Sequence, residues 1–99
     1  MVKLVCLIRR PGSMSHAEFR GWWLGHHAPL VRGLPELRRY TISVTEDGDP
    51  YDGVAELWFD SVAAMDASFA SELGQEVTRE DREAIGERVA FLTEEHVVV

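Results

Sequence analysis

Residues 19–40, FRGWWLGHHAPLVRGLPELRRY, carry the switch of pattern that decides the fold. On a helical wheel Phe19, Trp23, Leu30 and Leu34 share one stripe, with Trp22 and His26 on one flank and His27 and Val31 on the other. Gly33 followed by Pro35 stops that helix. From Leu37 to Thr45 the side chains alternate instead. Tyr40, Ile42 and Val44 point one way and Arg39, Thr41 and Ser43 the other, as in a half-exposed edge strand.

Upstream, Val2–Ile8 reads as a strand whose only charge is Lys3, so both of its faces are mostly apolar and it belongs in the middle of a sheet. Arg9–Met14, with Pro-Gly inside it, is a loop. Ser15 then caps the helix, with Glu18 three residues on completing a capping box. Downstream, Glu46–Gly53 (EDGDPYDG) is a turn-rich connection and Val54–Phe59 a second mostly apolar strand. Ser61 caps a helix through Val62, Met65, Phe69 and Leu73 that ends at Gly74. A short polar helix fills Gln75–Ile85, and Val89–Val99 is a closing strand.

The order β-α-β-β-α-β is that of an α+β ferredoxin-like sandwich, an antiparallel sheet with helices on one face. Its first and third strands are central, and here they are the two most apolar. The face without helices carries Leu4, Cys6 and Ile8, or else Val5 and Leu7, and an apolar face of that size predicts association. Two such sheets packed face to face give a homodimer with a barrel-like interior, a dimeric α/β barrel.

The chain has 99 residues, enough for one domain spanning 1–99 and a modest core. Its net charge of −7 argues against a nucleic-acid partner, which requires a basic face. The acidic run of the last third, Glu72 to Glu95, reads as a solvated helix face and carries no functional weight here. Leu4–Ile8 is too short to span a membrane, so no membrane partner is expected. Cys6 is the only cysteine, which excludes a disulfide within the chain and fits a cytoplasmic protein.

Candidate chemistry concentrates on the first helix. Pro29 lacks the N–H that would bond the Gly25 carbonyl, so a kink or weakened turn is expected around residues 26–28. An imidazole there can exchange protons near neutrality. The wheel places His26 closer to the apolar stripe than His27, and geometry alone does not choose between them. Trp22 and Trp23 offer a flat, water-poor wall, or simply fill the core. The Tyr40 hydroxyl can polarise a carbonyl or enol oxygen. Glu56, on a central strand, points either into the core or out to solvent. No HExxH, GxGxxG or P-loop spacing occurs, and no metal, nucleotide, flavin or haem cofactor is inferred.

Phe19…Trp23…His27-Ala28-Pro29-Leu30…Leu34-Pro35…Leu37-Arg38-Arg39-Tyr40 resembles the EthD family, and Phe69–Glu72 with Glu95–Val98 is similar to its usual ending. The resemblance implies a ferredoxin-like homodimer with a cleft between helices and sheet. The family is named for an accessory protein of ether degradation that accompanies a cytochrome P450 system. Its relatives include methylmuconolactone isomerases and polyketide-processing dehydratases or cyclases that work without cofactors. By resemblance, His27 is the matching histidine, with Trp23 and Tyr40 as matching aromatics. The expected activity is cofactor-independent proton transfer on a small lactone, aromatic or polyketide-like molecule. His27 and Tyr40 would be catalytic, with Trp22, Trp23, His26 and Arg39 binding substrate. The alternatives are a non-catalytic small-molecule binder or accessory protein of an ether-degrading monooxygenase pathway, and a cofactor-free oxygenase.

Overall fold

A computed structural model describes all 99 residues. The elements run β1 (Val2–Arg9), α1 (His16–Trp22), a π-helical segment (Trp23–His27), α2 (Ala28–Val31), β2 (Arg39–Val44), β3 (Gly53–Phe59), α3 (Val62–Ala70), α4 (Glu72–Ala84) and β4 (Glu87–Glu94). The strands form one antiparallel sheet in the order β2-β3-β1-β4, so the two apolar strands are central, as their sequences require. The helices cover one face only. No helix is long and apolar enough to cross a membrane.

Register decides which residues meet the helices. Leu4, Cys6 and Ile8 of β1 join Ala55, Leu57 and Phe59 of β3 in a core with Phe19, Trp23, Val31, Leu34 and Val77. The opposite face therefore carries Val5 between Glu56 and Phe91, and Leu7 between Val54 and Val89. Glu56 points away from the helices, but it is not free in solvent: it accepts a 2.9 Å hydrogen bond from Lys3. Lys3 also pairs with Glu95 at 3.0 Å, and Glu95 accepts from the Trp58 indole.

Three boundaries differ from the sequence expectation. β2 starts at Arg39 rather than Leu37. β4 spans Glu87–Glu94 rather than Val89–Val99, and its last residue lies opposite Val2, the first of β1. The break between the last two helices falls at Ser71, not Gly74. Ser71 Oγ accepts from the Gly74 N–H, capping α4, which is thus thirteen residues long. Gly74 serves packing instead: a Cβ there would collide with the Ser68 carbonyl and the Phe69 Cα.

The capping box of Ser15 and Glu18 forms as its spacing predicts. A buried carboxylate secures the same end of the helix to the sheet. Asp52 accepts from the Arg10 backbone N–H at 2.8 Å, from the Arg10 guanidinium at 2.6 Å, and lies 2.7 Å from His16 Nδ1. The turn-rich loop before β3 is therefore a structural clasp.

Candidate functional site

The weakened turn expected around residues 26–28 is present: the helix widens just before Pro29. The Ala28 N–H bonds the Trp23 carbonyl, five residues back, and the turn Trp23–His27 is π-helical. The missing proline N–H explains why the tighter ladder is not kept there. In a wider turn each residue advances by a smaller angle, so the ring four positions after Trp23 comes into line with it. That ring is His27. His26 swings outward, with 65% of its side chain exposed, against 5% for His27. The wheel's preference for His26 assumed an unbroken α-helix.

His27 is held on both nitrogens. Nδ1 is 2.7 Å from Glu80 Oε1 and Nε2 is 2.9 Å from Asp81 Oδ1. Its ring stacks on Trp22, with centroids 5.0 Å apart and planes at 20°. Burial alone would favour the neutral ring, but hydrogen bonds donated to Asp81 and then to Glu80 outweigh it and raise the pKa above the ordinary value. Both ring nitrogens face carboxylates, an arrangement that favours the imidazolium. His26 Nε2 reaches the second oxygen of Glu80 at 3.3 Å, on the solvent side.

Glu80 and Asp81 come from the acidic run that sequence reasoning set aside. Val77 on α4 is buried in the core, and residues three and four positions later share its face. Carboxylates on the core side of an amphipathic helix need a partner, and this anomaly was visible in the spacing.

Beside His27, between helices and sheet, lies a narrow cavity of about 30 Å³. Eleven of its fourteen lining residues are hydrophobic, Tyr40 with its hydroxyl among them, and the other three are His27, Asp81 and Arg88. A space of this size holds about one water molecule. Burial pushes the Tyr40 phenol well above its usual pKa, with only partial offset from the Trp23 indole, so Tyr40 stays a neutral donor. Burial likewise raises the pKa of Cys6, whose Sγ accepts from Arg88 at 3.3 Å; this thiol is inert.

Through Leu4, Phe69, Asp81, Ile85 and Arg88 the cavity adjoins a groove of about 540 Å³ between α4 and β4. Of the expected site residues, the structure thus brings together His27, Trp23 and Tyr40. Trp22 backs the imidazole rather than lining the cavity. Arg39 lies over Trp58, with its guanidinium carbon 4.7 Å from the ring centroid, and borders a separate hollow outside Tyr40.

The sequence profile of the EthD domain matches residues 11–85, most of the chain. The protein belongs to the EthD family. A curated relative, 4-carboxymethyl-4-methylbutenolide mutase from Pseudomonas reinekei, is 28% identical over 108 aligned residues, covering 98% of this chain and all of the relative. Among solved structures, an EthD family protein from Bacillus halodurans superposes with a TM-score of 0.84 at 22% identity, covering 97% of this chain and 99% of that one. A dimeric ferredoxin-like protein of unknown function from Bacteroides fragilis gives 0.74 at 13% identity, with 94% of each chain covered. These EthD and ferredoxin-like structures share the fold described above.

Proposed function

We propose that this EthD protein is a cofactor-independent proton-transfer enzyme acting on a small carbonyl compound of the lactone or enol type. The observation that carries the reading is the buried His27 imidazolium, set between two carboxylates at the edge of an apolar cavity it shares with the neutral Tyr40 phenol. A positioned acid or base contributes ~10²–10⁴ in rate. Asp81 lies on the cavity side of His27 and is the base: it takes the proton that leaves the carbon alpha to the carbonyl, and the His27–Asp81 pair, holding that proton between them, returns one to the product carbon. Tyr40 donates to the oxygen that gains charge as a proton leaves the carbon alpha to the carbonyl. The curated relative is named as a butenolide mutase, which fits this class of substrate. The test is proton NMR of 4-carboxymethyl-4-methylbutenolide with the protein in D₂O. Isomerisation, or deuterium entering the ring positions next to the carbonyl, is expected; a ligand that binds and returns unlabelled contradicts the reading.

That contrary result would favour a second reading, a non-catalytic binder or accessory protein of an ether-degrading monooxygenase pathway. One observation supports it: both imidazole nitrogens are already occupied, as they would be in a purely structural clamp.

The working form in either reading is a homodimer built through the open sheet face. Val5, Leu7, Val54 and Phe91 form an apolar strip there, and Phe91 is half exposed in the single chain. Sedimentation should give the mass of two chains at micromolar concentration, and Phe91→Glu should shift it toward one.

A further inference from the structure

Arg88 is the one cation at the junction of the cavity and the groove, and it is poorly satisfied. A guanidinium carries five N–H donors. Here Nη2 donates to Cys6 Sγ at 3.3 Å, a weak acceptor, and Nε makes a long ion pair with Asp81 Oδ2 at 3.8 Å, beyond hydrogen-bond range. The other oxygen of Asp81 is engaged by His27. Neighbouring Glu87 is paired with Arg9. Arg82, on the same groove wall, has no carboxylate within ion-pair distance, so the wall carries two cations in a chain of net charge −7.

The cavity itself is too small for an organic molecule, whereas the groove has the volume of an ordinary ligand site. The bulk of a ligand therefore has to lie in the groove and extend only its reacting end past Phe69 and Ile85 toward His27. A ligand so placed passes Arg88.

We infer that Arg88 anchors a carboxylate of the substrate, so that this site takes small organic acids rather than neutral lactones or hydrocarbons. The planar fork of the guanidinium matches the two oxygens of a carboxylate. The anchor fixes the distance between the acid group and the atom presented to Tyr40 and His27. The inference rests on the proton-transfer reading only for which end of the ligand reacts.

The experiment is calorimetric titration of 4-carboxymethyl-4-methylbutenolide and of its methyl ester into the wild-type protein, Arg88→Gln, Arg88→Lys and His27→Gln. Wild type should bind the acid at least about tenfold more tightly than the ester, the scale of one charge-assisted pair. Arg88→Gln should bring the ratio to about one, Arg88→Lys should keep part of it, and His27→Gln should keep it in full. Equal binding of acid and ester by wild type overturns the proposal and requires no variant to fold. So does a preference that survives in Arg88→Gln, or no binding of the acid at millimolar concentration. Tight binding of the acid without turnover or labelling would leave Arg88 as the anchor and remove the enzymatic reading alone.

Discussion

His27 and Asp81 meet at 2.9 Å, Nε2 to Oδ1, across the seam between the π-helical segment and α4. The contact joins two halves of the chain and places a carboxylate between the imidazolium and the groove. Removing that charge while keeping the shape isolates its effect. In Asp81→Asn the His27 pKa should fall from its raised value, since the hydrogen bond donated to Asp81 is the largest influence raising it. Nitrogen-detected NMR titration of the imidazole reads the change directly, and turnover should fall by ~10-fold or more as the protonated form is lost.

The pH dependence of stability has two limbs of opposite sign. His27 is raised on folding, so its contribution is complete below the unfolded value of about 6.5 and is lost as pH rises through the folded value. His16 moves in the same direction, so His27→Gln should flatten the alkaline limb only in part. Burial alone would raise the Asp52 pKa, but hydrogen bonds from Arg10 and His16 lower it overall. Its contribution is present above about 3.9 and is lost as pH falls through the folded value. Asp52→Ala should cost roughly 2–4 kcal/mol at neutral pH, and the difference from wild type should shrink in acid. Urea unfolding across pH measures both limbs.

Tyr40→Phe should leave the fold intact, because the ring stays packed against the core cluster. Its turnover should fall by ~10²-fold if the phenol serves as the oxyanion donor. Steady-state kinetics beside a thermal melt separates the two quantities.

Gly74→Ala tests the packing of α4 on α3. Any Cβ there meets backbone atoms of Ser68 and Phe69, which cannot move aside without shifting the helix. Alanine is normally the better helix former, so propensity predicts a gain. The collision should win, and the variant should lose about 1–3 kcal/mol in urea unfolding.

The fold was legible because local signals agreed with one another. Apolar β1 and β3, alternating β2 and the cap at Ser15 each pointed to the same sandwich. The site was legible only in part. The HHAP stretch drew the eye to an imidazole, and family resemblance singled out His27. The wheel left the two histidines open, because the π geometry of the turn before Pro29 is a change of angle that no α-helical template contains. Glu80 and Asp81 were passed over because an acidic run usually faces water. Only the buried Val77 one turn earlier shows that these two face the core. Arg88 was hidden for a different reason: its place beside Cys6 follows from the pairing of β4 with β1, which spacing along the chain does not reveal.

The central claim is that the imidazole of His27 carries the transferred proton. Turnover by His27→Gln, measured against wild type with circular dichroism confirming the fold, tests it most directly. A fall of ~10²–10⁴-fold with the dimer and ligand affinity preserved is predicted. An unchanged rate in a folded variant would contradict it.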